Sequence, residues 1–313
     1  MIPKLESDEY VKRMLSIPRP GGGNILAFYE HRLGAIGTDP RLMLLPLDDH
    51  LAHRGDGVFE TLKYIDRRIY QLDAHLKRMK VSADAIFLNP PCSWEEMRGI
   101  ILEVAGASGQ DMGLIRILLG RGLGGFGIDP AECPVASLYI VAYGFHPKPE
   151  DFFERGVSAF RTSIPAKQGY MAKIKSVNYL PNVLMKRETV QKGFDFSFCF
   201  DEDGFLAEGA TENVCLLDKS GTLVIPEFTN ALAGTTLMRV LDLIQGEIPV
   251  MFRGIAESEI YGAREVLIIG TTWDCVNVVR YNKKPIHDVR PGPVGTRIRE
   301  LLRRDLRENG VLF

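Results

Sequence analysis

The sequence of 313 residues has few of the features that stabilise small secreted domains or hold metal ions. Its five cysteines are odd in number, scattered and without C-x-x-C spacing, which argues against a disulfide framework and against a zinc site. We therefore expect reduced, buried thiols. Its six histidines show no H-E-x-x-H or other close ligand spacing, so we predict no metal site.

An excess of charge of either sign is also missing, as are long apolar runs. The formal net charge is -2 and no long basic stretch occurs, so the sequence offers no electrostatic footprint for nucleic acid or for an anionic membrane. No apolar run approaches the length of a membrane span, and the charged N-terminus lacks the apolar core of a signal peptide. We expect a soluble, cytoplasmic protein that binds small molecules.

Length and composition favour two domains, because the chain is longer than a typical single domain and 45% of it is apolar. Residues 1–23 are predicted to form an N-terminal appendage that ends in the breaker Pro18-Arg-Pro-Gly-Gly-Gly23. Residues 24–143 are predicted to form a small α/β domain, residues 144–150 a proline-containing linker, and residues 151–313 a larger second domain.

Local patterns predict alternating strands and helices. Asp73 is predicted to cap the first long helix, and Ser93 with Glu96 to form a capping box before the next one. A further helix is predicted to end at Gly193. The main predicted strands cover residues 25–29, 41–47, 57–65, 68–71, 114–119, 136–143, 157–163, 194–200 and 266–269, and a basic amphipathic helix covers residues 294–306.

Two short motifs suggest the chemistry. Lys175-Ser-Val-Asn-Tyr-Leu supplies an amine, and Glu208-Gly-Ala-Thr-Glu-Asn supplies a carboxylate at the end of a predicted hairpin. A carbonyl cofactor needs an amine to hold it, and a pyridine cofactor needs a carboxylate to keep its ring nitrogen protonated. Taken singly, Lys175 is better explained as a solvated surface lysine, and Glu208 could be a turn carboxylate.

An anion site accompanies this pair. Gly234-Thr-Thr236 directly precedes a predicted helix, so its amides and hydroxyls would face an anion at the positive end of the helix dipole, although Thr235 could be a simple N-cap. Gly270-Thr-Thr272 repeats the pattern after a buried strand. Arg78 lies three residues after His75 on one helical face and could add a cation to the same anion, or be a surface arginine.

One motif is a decoy. Gly120-Arg-Gly-Leu-Gly-Gly125 satisfies G-x-G-x-x-G after a predicted strand, but the following Phe-Gly-Ile-Asp-Pro does not open a helix. The dinucleotide fingerprint requires that helix, so we predict a loop here.

The chain from about residue 24 to its C-terminus resembles the fold-type IV, pyridoxal-phosphate-dependent class IV aminotransferases. This family includes branched-chain aminotransferases, D-amino-acid aminotransferases and aminodeoxychorismate lyases. The matching motifs are His53-Arg-Gly-Asp-Gly-Val-Phe-Glu60, His75-Leu-Lys-Arg78, Lys175-Ser-Val-Asn-Tyr179, Glu208-Gly-Ala-Thr-Glu-Asn213, Leu232-Ala-Gly-Thr-Thr236, Gly270-Thr-Thr272 and Gly292-Pro-Val294.

The resemblance implies an α/β fold of the α+β type with two lobes and pyridoxal 5'-phosphate between them. Residues 151–313 would then be the large cofactor-binding domain. It also implies a homodimer whose partner contributes a loop to the site. No metal is implied.

The resemblance assigns roles to individual residues. Lys175 would hold the cofactor covalently and, once released, move a proton between substrate and cofactor. Glu208 would keep the pyridine nitrogen protonated, and Tyr179 would hydrogen-bond the ring hydroxyl. The remaining predicted cofactor residues are Arg78, Thr235, Thr236 and Thr271 at the phosphate, with Thr211 and Asn213 nearby; the predicted substrate residues are Arg54, Phe59, Lys63, Arg116, Arg121, Thr271 and Thr272.

The predicted activity is transfer of an amino group from an amino acid to a 2-oxo acid by a ping-pong mechanism. The donor is either a D-amino acid, whose enzymes resemble this chain at Lys63, or a branched-chain L-amino acid, whose enzymes resemble it at Arg116 and Tyr179. A branched-chain enzyme would have tyrosine at Arg54. The alternative is an aminodeoxychorismate lyase that releases pyruvate and 4-aminobenzoate, although Phe126 replaces an arginine expected there. A protein that only binds the cofactor is a third hypothesis.

Overall fold

The computed structural model describes residues 2–313 and contains two β-sheets with helices packed against them. The strands, in chain order, are β1 (Ile25–Glu30), β2 (Ala35–Gly37), β3 (Gly57–Ile65), β4 (Arg68–Ile69), β5 (Gly113–Gly120), β6 (Ser137–Tyr143), β7 (Val157–Arg161), β8 (Phe196–Phe200), β9 (Leu206–Gly209), β10 (Asn213–Leu217), β11 (Leu223–Ile225), β12 (Val250–Phe252), β13 (Glu265–Gly270), β14 (Asp274–Tyr281), β15 (Lys284–Pro285) and β16 (Val311–Leu312).

Helices connect and cover these strands. They are α1 (Ser7–Ser16), α2 (His50–His53), α3 (Leu72–Ala85), α4 (Trp94–Ala107), α5 (Glu150–Arg155), α6 (Gly169–Ala172), α7 (Leu180–Lys192), α8 (Thr235–Leu243), α9 (Glu257–Gly262) and α10 (Pro293–Asn309). The capping box of Ser93 and Glu96 at the start of α4 is confirmed, and α7 ends at Gly193 in the left-handed conformation, as predicted.

The first sheet is antiparallel throughout, in the order β16-β4-β3-β5-β6-β1-β2. The helices α3 and α4 pack on this sheet, and their buried side chains, such as Met79 and Ile101, join Leu62, Ile115 and Ile117 in one core. Glu60 and the cavity-lining Phe59 point to opposite faces because side chains alternate along β3. The cavity-facing side chains of β3 and β5 therefore come from the face that this core leaves free.

The second sheet is mixed, in the order β12-β11-β10-β13-β14-β7-β8-β9, with β15 added beside β14. Its parallel pairs are β11 with β12, β14 with β7, and β7 with β8. Phe196, Phe198 and Phe200 of β8 are buried in a core that includes α5 and α9, while α8 and α10 pack with Leu267 and Ile269 of β13 in another. Both faces of the sheet are thus covered by apolar contacts, which explains its nearly continuous hydrophobic strands.

The two-lobed α/β fold expected from the resemblance is confirmed. The chain passes from the first sheet to the second through residues 144–150, where α5 begins at Glu150. Its last strand, β16, returns to pair with β4 of the first sheet. The final strand therefore links the lobes.

Two local predictions were wrong. Residues 41–47 form no strand: a short 3-10 helix covers Pro40–Leu42, and the following leucines pair with no neighbouring strand. Asp73 does not cap α3, because the helix already begins at Leu72 after Gln71. Asp73 lies in the first turn instead, where its negative charge favours the helix and pairs with Arg98 of α4 at 2.8 Å.

Among residues 2–313, no helix has the length and apolar character needed to cross a membrane. Within the same residues, no group of three or more histidine, cysteine, aspartate or glutamate side chains is arranged to hold a metal ion. The five cysteines are free; Cys199, Cys215 and Cys275 are buried, whereas Cys92 and Cys133 are partly exposed.

Candidate active site

A cavity of about 260 Å³ lies between the two sheets. Its walls come from β3, α3 and β5 on one side, and from β9, α8 and the β13–β14 turn on the other. Every predicted cofactor residue lines it: Arg78, Lys175, Tyr179, Glu208, Thr211, Asn213, Thr235, Thr236 and Thr271. The predicted substrate residues Phe59, Arg116 and Thr272 line it as well.

The backbone around Lys175 is held by β3. β4 pairs with β3 only at Tyr64 and Ile65, which leaves the edge near Gly57 open. The Lys175 segment occupies that edge: the Phe59 amide donates to the Lys175 carbonyl, and the Val177 amide to the Gly57 carbonyl, each at 3.0 Å. The amine of Lys175 therefore projects from a paired backbone and not from a mobile loop.

The environment of the Lys175 amine favours its neutral form. Its Nζ lies 3.3 Å from the Tyr179 hydroxyl and 4.7 Å from the centroid of the Phe59 ring. Burial lowers the pKa of Lys175 to about 8, and the positive charge of Arg78 acts in the same direction. An amine with this pKa is neutral often enough near physiological pH to attack a carbonyl group.

Tyr179 immediately precedes α7 and packs edge-to-face with Phe59 at a centroid distance of 4.8 Å. Burial raises the pKa of its phenol, and the negative charge of Glu208 adds to the effect. The hydroxyl therefore keeps its proton and remains available as a hydrogen-bond donor.

At one end of the cavity lies the carboxyl group of Glu208, from β9. The Leu232 amide donates to its Oε2 at 3.1 Å. Burial raises the pKa of Glu208 to about 7, although the Leu232 amide and the charges of Lys167 and Lys175 oppose the rise. A carboxyl group that titrates near neutrality is suited to share a proton with a pyridine nitrogen.

At the end of the cavity formed by α8, Thr235 and Thr236 are the first two residues of this nine-residue helix. Unpaired amides at this helix start favour an anion. Gly234 is required before them, because a Cβ there would lie 1.9 Å from Oδ1 of Asn213. Asn213 in turn donates to the Leu232 carbonyl at 2.7 Å, so it fixes the approach of the chain to α8.

Arg78 is oriented towards the same end by a buried network. Glu60 is fully buried and accepts from Nε and Nη2 of Arg78, each at 2.7 Å, and from Nδ1 of His75 at 2.7 Å. Burial opposes ionisation of Glu60, but Arg78 and His75 outweigh it and lower its pKa to about 2. Burial lowers the pKa of His75, whose Nε2 lies 3.3 Å from the Thr235 hydroxyl. The network thus connects the arginine to the start of α8.

The turn between β13 and β14 carries Thr271 and Thr272. Glu212 steadies this turn: its carboxylate accepts from Nε1 of Trp273 at 3.2 Å and from the Thr211 amide at 2.9 Å. The Thr211 hydroxyl donates to the same carboxylate at 2.5 Å, so Glu212 joins the β9–β10 turn to the β13–β14 turn.

Arg116 of β5 is the predicted substrate cation that lies in the cavity wall. Its Nη2 contacts the Tyr143 hydroxyl at 3.4 Å, and its guanidinium lies 5.1 Å from the centroid of the Phe59 ring. Its Nε is buried and without a hydrogen-bond partner among residues 2–313. A buried donor without a partner is costly, so this side chain is suited to receive an anionic ligand.

Three predicted substrate cations do not line the cavity. Arg54 donates to backbone carbonyls of Phe126 and Gly127. Lys63 is buried and pairs with Asp274 at 2.5 Å. Arg121 forms a two-fold ion pair with Asp56 at 2.9 and 3.0 Å and also donates to two carbonyls of the α3–α4 connection. The structure therefore uses these side chains to hold loops and strands together.

Several cavity residues were not predicted from the sequence. They are Thr61, Tyr143, Lys167, Asn182, Glu212 and Trp273. Glu212 lies within the motif Glu208-Gly-Ala-Thr-Glu-Asn213, and that motif was the sequence signal that could have identified it. Lys167 follows β7 in a segment without any motif, and only the fold brings it to the cavity.

The donor set fits pyridoxal 5'-phosphate. The cavity is lined by an amine for an aldehyde, a carboxyl group for a ring nitrogen, and a helix start with an arginine for a phosphate. The protonated phenol of Tyr179 lies beside the amine, as a partner for a ring hydroxyl.

Comparison with known proteins agrees with this geometry. Residues 57–281, more than half of the chain, match the family Amino-transferase class IV. The chain is 35% identical over 315 residues to a D-amino-acid transaminase, chloroplastic, of Arabidopsis thaliana. This match covers 98% of this chain and 83% of the relative. It is 30% identical over 256 residues to a putative branched-chain-amino-acid aminotransferase of Methanocaldococcus jannaschii, which covers 80% and 88% respectively.

A solved structure is also similar. The crystal structure of a T.th. branched-chain amino acid aminotransferase with pyridoxamine 5'-phosphate superimposes with a TM-score of 0.85 at 25% identity, covering 90% of this chain and 94% of that one. The Lys175 motif, the two-lobed fold and the matched family agree. The chain belongs to the class IV aminotransferases, which makes it a pyridoxal 5'-phosphate-dependent transaminase.

Proposed function

We propose that this transaminase moves the amino group of a D-amino acid to a 2-oxo acid by a ping-pong mechanism. The observation that carries the proposal is the set of groups that line one cavity: the amine of Lys175, whose pKa is lowered, lies 3.3 Å from the Tyr179 hydroxyl, and Glu208, Arg78 and the start of α8 line the same cavity. The bound cofactor supplies an electron sink for the substrate's α carbon.

In this proposal the chain's own residues bind and orient. Arg78 and the amides and hydroxyls at the start of α8 bind the phosphate, together with Thr271. Glu208 holds the pyridine nitrogen protonated, and Tyr179 donates to the ring hydroxyl. Thr211 and Asn213 would support the cofactor site indirectly, because Thr211 is hydrogen-bonded to Glu212 and Asn213 holds the turn before α8.

Lys175 is proposed to be the catalytic residue. Its amine would hold the cofactor covalently and, when not bound to it, would accept the proton of the substrate's α carbon and give it back. The pKa of about 8 suits both tasks, because the amine can be neutral to accept the proton and is then acidic enough to give it back.

For the substrate carboxylate we propose Arg116 and the amides of Thr271 and Thr272. The orphaned Nε of Arg116 supports this assignment. Phe59 forms an apolar wall between Arg116 and Lys175, since its ring lies near both side chains. Arg54, Lys63 and Arg121 are left out of direct substrate contact, because their donors are already bound within the protein.

The D-amino-acid assignment is favoured by the extent of similarity. The Arabidopsis thaliana D-amino-acid transaminase matches across 98% of this chain, whereas the match to the putative branched-chain enzyme covers 80%. The second candidate is a branched-chain L-amino acid. It is favoured by Arg116 and Tyr179, which resemble the branched-chain group.

The test of the catalytic assignment is the variant Lys175→Ala, with Lys173→Ala as the matched control at an exposed position in the same segment. Turnover is measured with separate panels of D-amino acids and branched-chain L-amino acids and one 2-oxo acid. We expect Lys175→Ala to lose activity about 10²-fold or more and Lys173→Ala to keep it. Wild-type turnover in Lys175→Ala would refute the assignment. Pyruvate release from aminodeoxychorismate without an oxo acid would instead identify the lyase.

A cytoplasmic location and a homodimer with a loop supplied by the partner stay predictions. Exposed apolar side chains support an interface: Phe126 is 69% exposed and Ile128 83% exposed in the loop after β5, and Leu47 is 79% exposed. Light scattering of the purified protein tests the dimer, and a monomeric mass at micromolar concentration would contradict it.

A further inference from the structure

A second lysine lies in the cavity wall. Lys167 belongs to the segment between β7 and α6 and lines the cavity together with Glu208 and Tyr179. Its ammonium lies 4.6 Å from the centroid of the Tyr179 ring, whereas the Lys175 ammonium lies 5.7 Å from the same centroid. Two lysines therefore approach one aromatic ring, and the proposed mechanism uses only one of them.

Glu208 needs a nearby positive charge. Its carboxyl group receives a hydrogen bond from the Leu232 amide, and burial pushes it towards its neutral form. The two lysine ammonium groups oppose that push, and Lys167 has the larger effect of the two. Conversely, burial lowers the pKa of Lys167, and Glu208 is the main charge that opposes this change. The two groups are thus each other's counter-charge.

Lys175 is poorly suited to this task. It reacts with a carbonyl group as a neutral amine, so its positive charge is absent at the step at which the cofactor is captured. Lys167 has no such duty, and the negative charge of Glu208 opposes the loss of its proton. We propose that Lys167 is a positioning residue that keeps Glu208 ionised, so that Glu208 can hold the pyridine nitrogen of the cofactor protonated. The inference rests on the role proposed for Glu208.

Other titratable groups around Glu208 do not replace Lys167. Burial raises the pKa of the Cys199 thiol to about 12 and raises that of Tyr179, so both stay neutral. Arg78 is held by Glu60. The charged and titratable groups that face this region are Glu208 of β9, Cys199 of β8, Lys167, Lys175 and Tyr179 of the β7–α7 connection, Glu212 after β9, Arg78 of α3 and Arg116 of β5, with Glu60 of β3 behind Arg78.

The test measures the protonation of Glu208 in the cofactor-free protein. The infrared C=O band of a protonated carboxyl group is titrated against pH and assigned to Glu208 by its loss in Glu208→Gln. Three variants are compared with the wild type: Lys167→Met removes the charge, Lys167→Arg keeps it, and Lys173→Met removes a charge from an exposed position nearby.

We expect the midpoint to rise by about 1 pH unit in Lys167→Met, the size of the effect of one unit charge across several ångströms of protein. Lys167→Arg and Lys173→Met should keep the wild-type midpoint. An unchanged midpoint in Lys167→Met overturns the proposal. If the midpoint is unchanged and only the melting temperature falls, Lys167 merely packs on Tyr179, and the proposal is overturned as well. If Lys167→Met does not fold, Lys167→Gln takes its place.

A second measurement concerns the cofactor. Below neutral pH, where a smaller fraction of Glu208 is ionised in Lys167→Met than in the wild type, pyridoxal 5'-phosphate should bind Lys167→Met about 10-fold more weakly, with Lys167→Arg close to the wild type. Equal affinity in all variants overturns the proposal. Neither of these two measurements requires turnover. A wild-type protein without transaminase activity would refute the proposed function, and the infrared titration would still decide the role of Lys167.

Discussion

At the scale of single residues, burial shifts the pKa values of two ionisable groups of the cavity, one downwards and one upwards, and favours the neutral form of both. The pKa of Lys175 falls from 10.5 to about 8, and that of Glu208 rises from 4.5 to about 7. Each shift disfavours the charged form that the group would have in water. Both groups can therefore change protonation state within the pH range at which an enzyme works.

The pH dependence of cofactor capture follows from Lys175. Only the neutral amine attacks an aldehyde, so the capture rate should rise with pH and level off above about 8. Replacing Arg78 with methionine removes a cation that lowers this pKa, so the midpoint should move to higher pH. Stopped-flow absorbance of the cofactor-free protein mixed with pyridoxal 5'-phosphate measures both. A rate that is flat between pH 7 and 9 would contradict the lowered pKa.

The residues of the cavity show what a sequence can predict. Lys175, Glu208 and the threonines at the start of α8 were predicted from short motifs, because each stands in a run of residues that can be recognised in the sequence. Arg121 and Lys63 were predicted as substrate cations but are bound to Asp56 and Asp274. Each of these partners lies far along the chain, so only folding reveals that the cation is already used.

At the scale of elements, the backbone at the start of α8 determines the geometry of the proposed phosphate site. Gly234→Ala would put a Cβ 1.9 Å from Oδ1 of Asn213, so the turn before the helix has to move. We expect a loss of stability of about 1–3 kcal/mol, together with weaker binding of pyridoxal 5'-phosphate.

The matched control is Gly99→Ala in the exposed part of α4, where an added Cβ meets no atom within 4 Å. That variant should be neutral or more stable by up to about 1 kcal/mol. Thermal unfolding and a cofactor titration measure both variants. Equal behaviour of the two would contradict the role assigned to Gly234.

Glu60 connects β3 to α3 through its hydrogen bonds to His75 and Arg78, so its loss should lower the stability of the contact between these two elements. Glu60→Gln leaves the Arg78 cation without its buried partner, so we expect a loss of about 3 kcal/mol in the free energy of unfolding of the cofactor-free protein. The folded pKa of Glu60 is lowered to about 2, so its stabilising effect is full above its unfolded value of 4.5 and disappears as the pH falls towards 2.

Urea unfolding of the wild type and of Glu60→Gln at several pH values measures this difference. The two curves should lie furthest apart above about pH 5 and converge in acid. Inorganic phosphate should stabilise the variant more than the wild type, because it gives Arg78 a new partner. A pH-independent difference would contradict the ion-pair explanation.

Most elements were predicted at the correct place, and the exceptions have physical causes. The capping box before α4 and the glycine after α7 are local signals, and both were confirmed. Residues 41–47 form an apolar run like that of a buried strand, but they contain Pro46 and follow Pro40, and no neighbouring strand offers them hydrogen bonds. A strand needs a partner, which periodicity alone does not supply.

At the scale of the whole molecule, the cavity exists only because the two lobes meet. The first sheet supplies Arg78 and Arg116, and the second supplies Glu208 and the start of α8. The short strand β16 pairs with β4 after the chain has built the second lobe, so the C-terminal residues fasten the lobes to each other. The number of lobes followed from length and linker composition, whereas this returning strand is too short to carry a sequence signal.

The most direct test of the transaminase assignment is an absorbance titration of the cofactor-loaded protein with single amino acids and no oxo acid. A transaminase completes its first half-reaction under these conditions and converts the cofactor to pyridoxamine phosphate. We predict that D-amino acids cause this conversion and that their L-enantiomers do not. Conversion by branched-chain L-amino acids alone would replace the proposed substrate with the second candidate, and no conversion by any amino acid of either hand would contradict the account.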